Sequence, residues 1–272
     1  MSRRWRIAVE YDGTDFSGWQ RQTVPVGDPD GVPKPPREGL GPATPALARR
    51  DLRTVQATVE DAIRDMTGET VFVRCAGRTD AGVHADAQVA SFDLELTIPP
   101  HGLLRGLNSI LPADVAIVDA AEAAPDFDAR FSARGKVYRY TVWNHSVRSP
   151  RRARSAWHVR EAVDTDAVRR AAAAVVGEHD FRAFRASDCD RRTTVRIVRR
   201  LDVERQGPVL TFDIEATAFL KNMVRIVVGT LIDVGRGRLE DAAIADMLAT
   251  GARSAGGMTA PPQGLTLLRV IY

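Results

Sequence analysis

Apolar and polar residues alternate over much of this chain, and the alternation predicts most of its elements. Trp5, Ile7, Val9 and Tyr11 occupy every second position and predict a strand ending at the turn YDGTDFSGWQRQ. Thr54 then stands at the N-cap of VQATVEDAIRDMTG, where Val55, Val59, Ala62, Ile63 and Met66 share one helical face and Gly68 follows the end. A strand from Thr70 to Ala76 enters the loop AGRTDAGVHA, and QVASFDLEL leaves it as the next strand. A short helix over Leu103–Ile110 and a strand over Val115–Val118 complete the first half. KVYRYTVWN opens the second half as a strand, followed by a helix from Asp166 to Val176 and a polar, arginine-rich loop, GEHDFRAFRASDCDRRT. Two strands, TVRIVRRLDVER and VLTFDIEAT, meet at Gly207–Pro208, a hairpin signal. The helix AFLKNMVRIVVGTLIDVG, a second helix over Glu240–Leu248 and the terminal strand LTLLRVIY close the pattern.

Strict alternation means one wet face and one buried face, which predicts antiparallel sheet covered by helices on one side. The expected fold class is therefore α+β, with two lobes around one sheet system. Residues 1–120 would form the lobe carrying the AGRTDAGVHA loop and residues 121–272 the other. The halves share no internal sequence repeat. From Thr23 to Arg50 the chain turns to Pro and Gly without periodicity, which reads as an irregular loop inserted before the first helix, with no chemistry assigned to it.

Composition narrows the setting. At 272 residues the chain forms one large domain or two small ones with ample core. No apolar run is long enough to span a bilayer, and the start, MSRRWRIAVEYDG, lacks the apolar region of a signal peptide. Two cysteines, Cys75 and Cys189, provide neither a disulfide framework nor a zinc quartet, so a reduced cytoplasm is expected. The net charge of +3 implies little, but the arginines cluster. Arg148, Arg151, Arg152 and Arg154 form one group, Arg191, Arg192 and Arg196 a second, and Arg199 and Arg200 a third, with Arg182 leading into the second. Guanidinium forks suit phosphate, although a GC-rich coding bias would enrich arginine as well.

Four places carry candidate chemistry. Asp80 stands between Gly77 and Gly82, where the loop exposes a carboxylate; aspartate is also a common turn residue, and Arg78 would be a simple ion-pair partner for it. Asp80, His84 and Asp86 would be the ligands of a metal-dependent hydrolase, but no second histidine stands at ligand spacing, so no metal is expected. Arg225 interrupts an otherwise apolar helix, where its guanidinium must snorkel to water or meet an anion, Asp80 being the obvious candidate. Tyr138 and Tyr140 share one strand face beside Lys136, as core or as a platform for stacking a nucleobase.

Seven stretches in order resemble the tRNA pseudouridine synthase A family: EYDGTDFSGWQRQ, AGRTDAGVHA, NSILPADV, FDARFSARGKVYRYTVWN, GEHDFRAFRA, MVRIVVGTLIDVG and APPQGLTLLRVIY. They span nearly the whole chain apart from the Pro/Gly insertion, which departs from compact members. The resemblance implies a pseudouridine synthase fold, two α+β lobes around a continuous, mainly antiparallel sheet with a basic cleft between them. It implies conversion of uridine to pseudouridine at positions 38, 39 and 40 of the tRNA anticodon stem-loop, without cofactor or metal, by a homodimer. By the same resemblance Asp80 is the catalytic nucleophile and Arg225 its ion-pair partner. Tyr138 would pack on the target uracil, Leu265 would line its pocket, and Arg78 would help extrude the base. Whether Asp80 attacks the sugar C1′, adds to the uracil ring or first removes a sugar proton stays open at this level. The rival readings are a metal-dependent hydrolase and an RNA-binding protein without catalysis.

Overall fold

The computed structural model describes residues 2–25, 49–189 and 191–272. Its first half contains β1 (Arg3–Tyr11), β2 (Thr23–Pro25), β3 (Arg49–Asp51), α1 (Val55–Thr67), β4 (Arg74–Cys75), β5 (His84–Leu94), α2 (Pro100–Ile110) and β6 (Val115–Glu122). The second contains β7 (Gly135–Asn144), β8 (Trp157–Val159), α3 (Thr165–Ala172), β9 (Gly177–Asp180), β10 (Val195–Gln206) and β11 (Val209–Ala216). It ends with α4 (Met223–Gly235), α5 (Ala243–Thr250) and β12 (Leu265–Ile271).

Ten strands make one sheet, in the order β6-β1-β5-β12-β7-β11-β10-β9, with β4 added to β5 and β8 to β7. Most pairs are antiparallel, as the alternation predicts. The exceptions are β7–β8 and the seam where early and late strands meet, β5–β12, which pairs Thr266 with His84 and Leu267 with Ala85 in parallel. That seam is formed by the last two residues of the AGRTDAGVHA stretch. The buried face carries Trp5, Ile7, Val9, Tyr138, Tyr140, Phe212 and Ile214 in one core with residues of α1 to α5. The other face holds cross-strand ion pairs, Arg4–Asp93, Arg6–Asp119 and Arg139–Asp213.

Local signals fix several boundaries. The Thr54 side chain accepts from Ala57 N, and Gly68 ends α1 at φ +78° while donating to Arg64 O. Three expectations need correction. The Thr70–Ala76 strand shrinks to Arg74–Cys75, because Val73 N donates to the buried Glu60 carboxylate at 3.0 Å instead of to a strand. The expected loop Gly177–Thr193 contains β9 and a 3-10 turn that bury Phe181 and Phe184 completely. The helix expected from Ala218 begins at Met223, since Lys221 O accepts from Ala186 N and Asn222 turns left-handed at φ +63°. Of the Thr23–Arg50 insertion, β2 and the start of β3 form a short antiparallel pair, and the expected irregular loop between them lies outside the described residues.

Candidate active site

The loop between β4 and β5 is held from several sides. Gln88 Nε2 donates to Gly77 O at 2.6 Å, and Val83 N donates to Asp80 O at 3.2 Å. The turn after β1 grips the same loop: Trp19 N donates to Thr79 O at 3.1 Å and Gly82 N to Phe16 O at 3.3 Å. Tyr11 Oη and Thr79 Oγ1 are 2.8 Å apart, and Gly13 N donates to His84 Nδ1 at 3.0 Å. The approach is so close that a Cβ on Gly13 would stand 2.0 Å from Val83 O. In the sequence, YDGTDFSGWQRQ reads as a turn and as one of the family stretches, with no role assigned to it. Its job is to clamp the Asp80 loop; the available signal is two glycines in a turn longer than a hairpin requires.

Asp80 is half-buried, its side chain 35% exposed, and Arg225 Nη1 lies 3.8 Å from its Oδ2. This is a Coulombic approach without a hydrogen bond. The hydrogen bonds of the guanidinium go elsewhere among the described residues: Nε to Ala260 O at 2.7 Å and Nη1 to Asn222 Oδ1 at 2.9 Å. Every other residue of α4 is buried, so Arg225 reaches from an apolar helix toward the loop. Burial raises the Asp80 pKa above the ordinary carboxylate value, while Arg225 and then Lys221 oppose the rise and Asp188 adds to it. Lys221 Nζ is bonded to Asp188 Oδ2 at 2.6 Å. Neither Lys221 nor Asp188 stands out in the sequence, since their pairing joins two segments 33 positions apart.

Asp80 lies close enough to Tyr138 to act on its hydroxyl, and Leu265 stands on the strand beside Tyr138 and Tyr140. Leu265 pairs with Tyr140, and Leu267 with Tyr138, so β7 and β12 present these side chains to the same face. Tyr138 is buried against the edge of Phe219, with ring centroids 5.0 Å apart. Burial, then Tyr11 and Asp80, push its hydroxyl pKa up, so it stays protonated. Tyr140 takes the core reading: it is fully buried and donates to Pro261 O at 2.7 Å. Arg78 is exposed and has no ion-pair partner among the described residues, so it does not neutralise Asp80.

The arginine clusters divide. Arg154 is bound to Asp12 and Asp15, Arg182 to Asp180 and Thr250 O, Arg199 to Glu215 and Arg200 to Asp202. Arg196 is buried and bonded to backbone carbonyls. Arg148, Arg151, Arg152, Arg191 and Arg192 have no ion-pair partner among the described residues and remain exposed. Half of the pattern that suits phosphate is therefore structural. Asp80, His84 and Asp86 form no metal-holding group; among the described residues no three His, Cys, Asp or Glu do. His84 faces Asp12 Oδ1 at 3.2 Å instead. No helix among the described residues is long and apolar enough to cross a membrane.

Comparison with known proteins agrees with this geometry. The profile of a family described as tRNA pseudouridine synthase matches residues 46–132 and 171–272, which include the Asp80 loop, Arg225 and Leu265. A tRNA pseudouridine synthase A from Pelobacter propionicus is 43% identical over 99% of this chain and 100% of its own length. That of Myxococcus xanthus is 44% identical over 99% of this chain and 92% of its own. The Geobacter sulfurreducens protein of the same name is 41% identical over 99% and 100%. With a clamped carboxylate loop, a partly buried arginine facing it, and likeness along essentially its whole length, the chain belongs to the tRNA pseudouridine synthase family.

Proposed function

We propose that this protein isomerises uridine to pseudouridine at positions 38, 39 and 40 of the tRNA anticodon stem-loop, with Asp80 as nucleophile. The observation that carries the proposal is a half-buried carboxylate on a clamped loop, with one guanidinium 3.8 Å away and an aromatic-lined face beside it. The reaction breaks the bond between N1 and C1′ of the uridine and forms one between C5 and C1′. A proton leaves C5 and one is gained at N1, so the change is an isomerisation with no net co-reactant. It needs one ionised carboxylate for covalent catalysis and no second carboxylate at fixed distance, unlike glycoside hydrolysis.

A uridine in a stem is inaccessible until it is flipped out, at about a few kcal/mol of lost stacking and pairing. Arg78, exposed two residues before Asp80, occupies the vacated place or holds its phosphate. The flipped uracil packs on Tyr138, with Leu265 lining the other wall. Arg225 keeps Asp80 anionic against its burial and aligns the segment that carries Leu265 through Ala260. Residues 1–120 and 121–272 act as two lobes with a basic cleft between them, working in the cytoplasm as a homodimer whose subunits share one tRNA. Incubation with unmodified tRNA followed by pseudouridine mapping tests the function; failure to find product at positions 38 to 40 overturns it.

A further inference from the structure

We infer that Lys136, with Arg78 and Arg130 beside it, binds an RNA phosphate at the entrance to the Asp80 loop, next to the target nucleotide. The inference rests on the reading of tRNA as substrate and adds a site to it. Lys136 lies on β7, two positions before Tyr138, and its side chain crosses Gly77. A Cβ on Gly77 would come 2.8 Å from Lys136 Cε and 3.5 Å from Nζ, so the missing side chain at Gly77 makes room for this lysine. Lys136 is only partly exposed, yet its ammonium has neither a hydrogen bond nor a carboxylate partner among the described residues.

Among the described residues its surroundings supply no anion either. Burial lowers the Lys136 pKa, and the groups acting on it besides are Cys75, Arg130 and Arg191. Burial also pushes the Cys75 thiol up to about 12, so it is neutral near pH 7 and offers no counter-charge. Arg78 acts on the same thiol, and neither Arg78 nor Arg130 has an ion-pair partner among the described residues. Several other cations of the sheet are matched by carboxylates: Arg4 by Asp93, Arg74 by Asp128, Arg139 by Asp213. A half-buried ammonium in the field of Arg130 and Arg191 is unfavourable by itself and becomes favourable when an anion arrives. A compact ammonium flanked by planar forks matches the oxygens of one phosphodiester. A nucleotide whose base reaches Tyr138 and Asp80 brings its backbone past Gly77.

The test is a charge-removal cycle on the full-length protein with full-length tRNA. One set of tRNAs carries a single uncharged methylphosphonate on either side of the target uridine; affinity is read by anisotropy and product by single turnover. For the wild type, neutralising one of the two linkages should weaken binding about 10- to 100-fold, as removal of a charge-assisted hydrogen bond does. Lys136→Met should lose a similar factor on native tRNA and nothing further on that neutral-linkage tRNA, whereas Lys136→Arg should retain most of the affinity. Arg130→Gln, at an exposed position, should show the same non-additivity at smaller size and keeps the test alive if Lys136→Met fails to fold. Full independence of the two losses, or native affinity in folded Lys136→Met, overturns the site. Competition by inorganic phosphate without any effect of the neutral linkages also overturns it, leaving a free-anion site. Because binding is read apart from turnover, absence of pseudouridine with wild-type enzyme would instead sink the functional reading.

Discussion

Arg225 approaches Asp80 to 3.8 Å, yet its hydrogen bonds go to Ala260 O and Asn222 Oδ1. The arginine therefore does two jobs, with Nη1 facing Asp80 while it donates to Asn222 and Nε held on Ala260 O. Its field acts on the carboxylate, while its donors fix the segment leading to Leu265. Asn222 is held left-handed at φ +63°, a conformation asparagine tolerates better than most residues, and supplies the acceptor that aims the guanidinium.

Asp80→Asn should abolish pseudouridine formation and leave tRNA binding within a few-fold of the wild type. Product mapping on unmodified tRNA checks the first part and anisotropy the second. Burial raises the Asp80 pKa, so the folded protein holds its proton more tightly than the unfolded chain does. Stability then falls as pH rises between the unfolded and folded values, and the carboxylate is a burden at neutral pH. The Asn variant should accordingly melt slightly higher than wild type at pH 7, not lower.

The acid side of the pH–rate profile should report the same group. Activity requires ionised Asp80 and should decline as pH falls through a value above the ordinary 3.8. In Arg225→Lys, where the cation is kept but its placement is lost, the midpoint should move upward, because less of the burial is offset. A midpoint at or below 3.8 in the wild type would exclude Asp80 as the titrating group.

Arg225→Ala should damage stability and activity together. It leaves Ala260 O without its donor, at about 1–3 kcal/mol, and lowers Tm by roughly 2–4 °C per kcal/mol in a chain of this size. Arg225→Lys should be only partly tolerated, since one ammonium cannot serve Ala260 O and Asn222 Oδ1 from the same geometry. Thermal melts combined with single-turnover rates separate the two effects; full activity in Arg225→Ala would restore the snorkelling explanation.

The clamp has its own signature. Gly13→Ala puts a methyl group against Val83 O, where no flexible side chain can yield, so the turn and the Asp80 loop must part. A loss of about 1–3 kcal/mol is expected from such overpacking, with a larger fall in kcat than in tRNA affinity. Denaturant melts and kinetics with saturating tRNA test this, and a variant with wild-type kcat would show that the clamp does not position Asp80.

Salt dependence sorts the arginines. Neutralising Arg148, Arg151 and Arg152 should weaken tRNA binding and flatten the slope of log affinity against log salt by about 0.7–0.9 for each phosphate that is no longer neutralised. Arg154→Ala should change the slope little and instead loosen the turn that carries Asp12 and Asp15. Titrations at several salt concentrations decide between them; an unchanged slope in the triple variant removes that cluster from the RNA surface.

Sequence by itself determined the elements whose signals are local. Alternation placed β1, β7, β10 and β11, and the Thr54 and Gly68 caps bounded α1, because strand faces and helix ends depend on neighbouring residues. It also singled out Asp80 from its glycine-flanked loop and Arg225 from its apolar helix, since an unmatched charge in an apolar pattern is visible without a fold. Only the tertiary structure decided which charges are matched. Arg154 looks like Arg151 and Arg152 in the sequence, yet it is paired with aspartates, and its pairing with Asp12 spans 142 positions. Likewise the left-handed turn at Asn222, the burial of Phe181 and Phe184, and the grip of the Gly13 turn on Val83 arise from contacts between distant segments. Local periodicity cannot encode such contacts, because each depends on where the sheet brings the other partner.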